Sequence, residues 1–173
     1  MVGRPTYYGS GLSEDAVDEL DLDGIGGLLA LTPTNEVNTL AAMHFAEVFG
    51  REQIYQLASQ VSDTARTEVS AQNRGRALFG KEINHARLEI VFARGWSIKK
   101  TKLTKEFDSG DYQDLYPDGS IPLCWISESK ELVFYTADKY PEPKPGQTLI
   151  AVIPERSDAM VRQQSELSDQ LAR

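Results

Sequence analysis

The sequence predicts an α/β fold in which a short parallel sheet is followed by a small α+β module. Residues 28–31 form a continuous apolar run, residues 34–49 have the pattern of a helix, and residues 53–57 repeat the strand signal. A strand, a helix and a second strand in this order make one step of a parallel sheet. Because the strand runs show no polar alternation, we expect helices to cover both faces of the sheet.

The helix predicted at residues 34–49 has signals at both ends. Thr32 can cap it, Pro33 suits its first position, and Glu36 places negative charge in the first turn. Gly50 stands where helices commonly end in a left-handed residue. One face of this helix is formed by Val37, Leu40, Ala41, His44 and Val48. Much of the remaining circumference is also apolar because of Met43, Phe45 and Phe49. We therefore expect the helix to pack on two sides, against the sheet and against a neighbouring subunit or domain.

The second module begins near residue 83. Asn84 can cap a helix that Gly95 ends, with Leu88, Val91 and Phe92 on one face. β-Branched and aromatic residues then predict four strands, at residues 96–103, 122–127, 131–136 and 148–153. A hairpin turn is expected at residues 127–130 and a stiff proline-rich turn at residues 141–146.

Composition limits the class of protein. With 173 residues, 40% of them hydrophobic, the chain can bury one compact core or two small ones. The net charge of −8 argues against nucleic acid or an anionic membrane as a partner. No apolar run approaches the roughly 20 residues of a membrane span, and no secretory leader is evident. We expect a soluble, cytoplasmic chain with no direct membrane insertion.

Residues able to support catalysis are few. Cys124 is the only cysteine, and its apolar neighbours predict a buried, inert thiol. The only histidines are His44, which shares an apolar helix face, and His85, which follows a probable helix cap. No serine sits in a strained elbow and no carboxylate pair is evident, so the sequence does not predict an enzyme.

The turn formed by Gly9, Ser10 and Gly11 partly imitates a dinucleotide fingerprint, since it follows a strand and opens a helix. Glu14 replaces the third glycine and puts a carboxylate where a phosphate would bind. Ser13 is better interpreted as a helix N-cap, so an ordinary tight turn is favoured over a primary phosphate site.

Two acidic segments resemble metal sites without matching a ligand spacing. Asp21 to Gly24 imitates the start of a calcium loop, but Ala30 occupies the position of its bidentate glutamate, so an acidic turn is favoured. A looser group, which we interpret as a solvated loop, contains Asp108, Asp111, Asp114 and Asp118. We predict no metal site.

The only basic cluster consists of Lys99, Lys100, Lys102 and Lys105. These lysines could contact anionic lipid, but lysines also protect exposed edge strands from pairing, and we favour that role.

Several short motifs together carry a resemblance to a known family. They are Tyr8-Gly9-Ser10-Gly11, residues 20–24 and 28–32, Asn35-Glu36-Val37-Asn38, Ala41-Ala42, Phe49-Gly50 and Tyr55, followed by residues 74–80, 94–103 and 143–152. The earlier motifs resemble the second half of the RCK or TrkA-N domain, which regulates potassium channels, potassium uptake systems and cation/proton antiporters. The later stretches are similar to the segment that follows this domain in bacterial sodium/proton antiporters.

The resemblance implies a partial Rossmann-like sheet that lacks its first βαβ unit. The chain then begins inside the fold, with Met1 an artificial or shifted start. The implied organisation is the later half of a TrkA-N domain at residues 1–62, a linker or connecting helix at 63–82, the α+β module at 83–154 and a polar tail at 155–173. The resemblance also suggests that residues 74–76 pack the two parts together, although a plain solvated connector is as well supported.

The resemblance further implies a site for NAD or an adenine nucleotide. Gly9, Ser10 and Gly11 would lie beside the adenine, and Thr32 and Asn35 near the ribose. Ser10 and the pair Thr34-Asn35 replace acids that the family carries, and the phosphate turn is missing, so we expect weak or no binding.

The implied function is the cytosolic regulatory portion of a sodium or potassium/proton antiporter. Its partners would be a second copy of the chain, bound through residues 34–49, and the membrane transporter portion of the same polypeptide. Two alternatives are a free-standing interaction adaptor and, less favoured, a fragment of an NAD-dependent oxidoreductase, which would need a glycine-rich opening.

Overall fold

The computed structural model describes residues 22–59, 73–117 and 119–155, which form two compact units. The first unit contains the described residues up to Ala86 together with Thr136–Tyr140. The second contains those from Arg87 to Tyr135 and from Pro141 onward. The two units are described separately below.

The first unit is built on a parallel sheet. Its elements are β1 (Leu28–Ala30), α1 (Asn35–Phe49), a 3-10 turn (Arg51–Gln53), β2 (Ile54–Gln56) and β3 (Arg76–Ala77). The described strands lie in the order β1-β2-β3 and are all parallel, with Leu28 opposite Ile54 and Tyr55 opposite Arg76. The predicted strand, helix and parallel strand are confirmed.

Helix α1 covers one face of this sheet. Ala42 and Phe45 are buried against Ile54, and the Phe45 and Phe49 rings stack with their centroids 6.0 Å apart. On the other face Leu29 remains 38% exposed. The expectation that both faces are covered is therefore wrong at this position, because alternate residues of a strand point to opposite faces and three-residue strands are too short to reveal which face is open.

The start of α1 differs from the prediction. Thr34, not Thr32, is the N-cap residue, and its side chain makes no capping hydrogen bond. Pro33 consequently precedes the helix. The predicted end is confirmed, because Gly50 has a φ of +77° and its N–H donates to the carbonyl oxygen of Ala46.

Strand β3 lies within the stretch for which a connector was expected. Gly75 precedes it, and a Cβ atom there would come 3.1 Å from the Ile54 side chain, so glycine permits the close approach to β2. The Gly75 N–H donates to Oε1 of the buried Gln56. On the far side of β3, the Ala137 N–H donates to the Ala77 carbonyl at 2.8 Å, which joins residues 136–140 to this unit.

The second unit is built on an antiparallel sheet. Helix α2 (His85–Ala93) leads into it, followed by β4 (Ser97–Lys102), α3 (Ser109–Leu115), β5 (Ile121–Ile126), β6 (Leu132–Phe134) and β7 (Thr148–Ile153). The described strands lie in the order β4-β7-β5-β6. The four predicted strands and the 127–130 turn are confirmed, with Lys130 at a φ of +67° in that turn. The predicted α/β class, a parallel sheet followed by an α+β module, is likewise confirmed.

An aromatic core fills this unit. Its buried members are Leu103, Tyr112, Tyr116, Trp125, Tyr135, Leu149, Ala151 and Ile153. The Trp125 and Tyr135 rings meet at a tilt with centroids 4.8 Å apart. Val91 of α2 is buried, whereas Phe92, which was predicted on the same helix face, is 43% exposed.

The acidic segment around residue 110 is a short helix. Asp108 caps α3 through hydrogen bonds from the amides of Gly110 and Asp111, and the Asp111 carboxylate accepts from the Asp108 amide. The prediction of a solvated loop is wrong because this reciprocal capping box satisfies the first turn of the helix. Asp118 lies outside the described residues.

Strand β4 occupies an edge of the described sheet and carries three of the four clustered lysines, all with low burial. The preferred role for them, shielding an edge strand, agrees with this position.

Candidate functional site

The candidate site lies at the carboxyl ends of β1 and β2 in the first unit. Thr32 follows β1, Asn35 begins α1, and Ser59 follows β2. Ligands of open parallel sheets bind outside the carboxyl ends of the strands. The structure therefore places two of the predicted site residues, Thr32 and Asn35, at the edge where such a ligand would lie. Gly9, Ser10 and Gly11 lie outside the described residues.

Asn38 organises the loop between β1 and α1. Its side chain is fully buried, and its Oδ1 accepts hydrogen bonds from the Thr32 backbone N–H at 3.0 Å and from the Thr32 hydroxyl at 2.7 Å. Its Nδ2 donates to the Thr32 carbonyl at 2.9 Å. The amide is thus satisfied at both ends, and the loop has a fixed shape.

Sequence reasoning gave Asn38 no role. The available signal was an asparagine in the second turn of a helix, on the side that faces the sheet. A buried amide at such a position must find hydrogen-bonding partners nearby, and the preceding loop supplies them.

Asn35 links the two loops of the site. Its Nδ2 donates to the Ser59 hydroxyl at 2.9 Å, which joins the start of α1 to the segment after β2. The Thr32 hydroxyl lies within hydrogen-bonding distance of the Thr34 carbonyl and of the Thr34 amide, at 3.1 and 3.3 Å. The edge is therefore lined by short hydroxyl and amide side chains that already bond to one another.

The charge at this edge is unfavourable for phosphate. The first amides of α1 carry partial positive charge and receive no side-chain cap from Thr34. Glu36 is exposed in the same turn and adds a full negative charge. The arrangement suits hydrogen bonding to a neutral hydroxyl-bearing group, such as a ribose, better than it suits a phosphate.

A second candidate surface is the side of α1 that faces away from the sheet. It consists of Val37, Leu40, Met43 and Val48, which we call the apolar stripe, and each of them is more than a third exposed. Leu40 and Met43 are 52% and 46% exposed. Phe45, by contrast, is buried in the core of this unit.

His44 lies between the apolar stripe and the core. Its ring meets the Phe45 ring edge-on with centroids 5.2 Å apart, and its Nε2 is buried without a hydrogen-bond partner among the described residues. This position fits the predicted core or interface residue.

Residues 136–140 bring a charge pair to β3. The Arg76 guanidinium bonds to the Thr136 hydroxyl and, at 3.2 Å, to the Asp138 carboxylate, and it stacks over the Tyr55 ring at 5.5 Å. The hydrogen bond from Thr136 and the charge of Arg76 lower the pKa of Asp138. The carboxylate is mostly exposed, so water screens the pair strongly.

The described residues offer little for covalent or metal chemistry. Burial raises the pKa of Cys124 to about 11, which fits the predicted inert thiol. Within residues 22–59, 73–117 and 119–155, no three His, Cys, Asp or Glu side chains are grouped closely enough to hold a metal ion. Every helix in the same ranges is too short or too polar to span a bilayer.

Comparison with known proteins gives a structural likeness but no sequence family. No protein-family model matches the sequence. No curated protein matches it either. Among solved structures, the chain is similar to one described as the crystal structure of the GsuK RCK domain, with a TM-score of 0.37 and 12% sequence identity. That likeness covers 100% of this chain and 39% of the other, so the chain spans well under half of its length.

Proposed function

We propose that this chain is a cytosolic regulatory domain of a sodium or potassium/proton antiporter and that it dimerises through α1. The observation that carries the proposal is the apolar stripe on α1. A regulatory domain acts by favouring one arrangement of its assembly over another, and for that it needs a surface that binds a second subunit. The sequence motifs listed for the RCK or TrkA-N resemblance supply the antiporter context.

The apolar stripe supports a contact with a second protein surface. Side chains at positions 37, 40, 43 and 48 recur on one side of the helix, and the opposite side is already used against Ile54. Contiguous exposed apolar side chains on a folded protein mark interaction sites. A two-fold axis through the stripe would place each helix against its copy, with Leu40 and Met43 near the centre.

Light scattering tests the dimer. Leu40→Glu should convert a dimer of the chain to a monomer, because it would place two carboxylates opposite each other in an apolar contact. Ile98→Glu is the matched control, since Ile98 is an exposed apolar residue in the second unit, and it should leave the mass unchanged. A wild-type monomer, or a Leu40→Glu dimer, would remove the proposal. Phe45 is unsuitable for this test because a charge there would disrupt the core.

We further propose that the candidate site contacts the ribose and adenine portion of a nucleotide only weakly in this chain. The unfavourable charge of Glu36 and the hydrogen bonds that already engage Thr32 and Asn35 support weak binding. Calorimetric titration with NAD should therefore show a dissociation constant well above the micromolar range. Micromolar binding that Asn35→Ala abolishes would contradict this prediction and would establish a working nucleotide site.

A free-standing adaptor is the second candidate, because the same apolar stripe would serve it equally well. The DNA upstream of Met1 separates the two. A membrane-spanning segment in the same reading frame would favour the antiporter domain, whereas its absence would favour the adaptor. We propose no enzymatic activity.

A further inference from the structure

The second unit contains a pocket that the regulatory proposal does not use. Its volume is about 180 Å³. The lining residues are two buried aromatics and the proline-rich turn, namely Trp125, Tyr135, Pro141, Glu142, Pro143, Lys144 and Gln147. We propose that this pocket binds a small zwitterion with an apolar body, of the chemical class of a free aliphatic amino acid.

The apolar part of the wall favours an apolar body, and it consists of Trp125 and the two prolines with the fully buried Tyr135 behind them. Trp125 and Tyr135 are both buried residues of the core, so their rings are held in place by packing. The two prolines present further apolar rings on a backbone whose φ angles are fixed. A volume of this size suits a small ligand better than a whole nucleotide.

Opposite charges occur together on the polar part of the wall. Glu142 and Lys144 are two residues apart in the same turn and both line the pocket. Glu142 and Lys144 form no ion pair with each other in the described part of the chain. A ligand with one charge would meet a repelling group on this wall, whereas a zwitterion can satisfy both.

Hydrogen bonds within the wall fix which atoms remain for a ligand. The Ser109 hydroxyl donates to Oε1 of Glu142 at 2.6 Å, which leaves Oε2 to receive an ammonium group. The Lys144 backbone N–H donates to Oε1 of Gln147 at 2.9 Å, so the Nε2 amide group of Gln147 remains as a donor, and the Lys144 ammonium is a second one on the same wall. These two donors suit a carboxylate.

The turn that carries these groups is anchored to the fold. The Gly146 N–H donates to the Leu103 carbonyl at 3.0 Å, and the Leu103 N–H donates to the Gln147 carbonyl at 2.9 Å. Gly146 adopts a φ of +91°, which favours glycine. The pocket is therefore formed before a ligand arrives, and binding need not order the turn.

Calorimetric titration of the full chain with L-leucine tests the assignment. The two matched probes are 3-methylbutylamine, which lacks the carboxylate, and 4-methylpentanoate, which lacks the ammonium. We expect saturable 1:1 binding of leucine, with each probe at least about tenfold weaker, since each loses a charge-assisted hydrogen bond. The fluorescence of Trp125, followed in a Trp96→Phe background, should change with the same midpoint.

Variants that remove a charge test whether Glu142 and Lys144 bind the ligand. Glu142→Gln and Lys144→Met should each weaken leucine at least about tenfold. The exposed residues outside the pocket provide controls, and Glu106→Gln and Lys105→Met should leave the affinity unchanged. Circular dichroism establishes that each variant is folded. The proposal is overturned if leucine does not saturate by about 10 mM, if either probe binds as tightly as leucine, or if the folded Glu142→Gln variant keeps its affinity.

Discussion

The two units differ in how their apolar residues are arranged, although each leaves some large apolar side chains exposed, such as Leu40 in the first and Ile98 in the second. The second unit gathers its aromatic residues into one core, with Leu103 and Tyr135 fully buried. The first unit buries Ala42, Phe45 and Ile54 but leaves both the apolar stripe and Leu29 exposed. An antiparallel sheet with local turns can complete its own core, whereas a parallel sheet needs covering layers on both faces. The exposed apolar stripe of the first unit is the surface on which we propose that a second subunit binds.

The largest expected change in the free energy of unfolding comes from a comparison between the core of the second unit and the apolar stripe of the first. Leu103→Ala should lower the free energy of unfolding by about 2–5 kcal/mol, because it removes a fully buried side chain and leaves a cavity. Leu40→Ala should change the stability of the isolated subunit by no more than about 0.5 kcal/mol.

Urea denaturation at low protein concentration measures both values, followed by tryptophan fluorescence for Leu103→Ala and by far-UV circular dichroism for Leu40→Ala. The two tryptophans of the chain, Trp96 and Trp125, both lie in the second unit, so their fluorescence follows that unit directly. Equal losses for Leu103→Ala and Leu40→Ala would show that the contrast between the units is false.

A smaller loss of stability is expected in the first unit, where a buried polar side chain stabilises the structure through hydrogen bonds, whereas the second unit relies on an apolar core. Asn38→Ala should cost about 1–3 kcal/mol, because the loop at Thr32 loses all of its bonds to the buried amide.

Hydrogen exchange is the sharper measurement of this loss, since the Thr32 backbone N–H donates directly to Asn38. Its exchange should accelerate in Asn38→Ala and stay slow in the control Asn35→Ala, which loses only the bond to Ser59. Unchanged protection of Thr32 in Asn38→Ala would mean that the loop holds its shape without the asparagine.

The smallest effect concerns the charge pair that joins residues 136–140 to β3. The pKa of Asp138 is lowered in the folded chain, so its contribution to stability is present above the pKa of the unfolded carboxyl and is lost as pH falls through the folded value. Asp138→Asn should cost less than about 1 kcal/mol near neutral pH and nothing at low pH. Denaturation at several pH values measures this, with Glu106→Gln as the control. A cost that persists in acid would assign the effect to packing.

The sequence predicted the elements whose signals are local. The apolar run before α1, Gly50 at its end and the β-rich segments of the second unit all appear where expected. The position of the α1 cap depends instead on tertiary structure, because Thr32 is drawn into bonds with Asn38. The helix α3 was missed because its residues have low helix propensity, and the capping box of Asp108 and Asp111 compensates for it.

The candidate site was predicted only in part. Thr32 and Asn35 lie at the expected edge of the sheet, but their hydrogen-bonding partners, Asn38 and Ser59, could not be assigned from spacing alone. Of the zwitterion pocket, the sequence predicted only the proline-rich turn at residues 141–146. The pocket also requires Trp125 of β5 and Tyr135 just after β6, an arrangement that only folding creates.

The segment of residues 136–140 belongs to the first unit but lies between two parts of the second. This arrangement affects how the chain can be truncated and how it folds during synthesis. The segment completes the first unit by pairing beyond Ala77, yet the residues on either side of it belong to the second unit. A ribosome must therefore make most of the second unit before the first can close. For the same reason, no single cut of the gene separates two intact halves, and truncations ending before Thr136 would leave the Ala77 carbonyl without its donor.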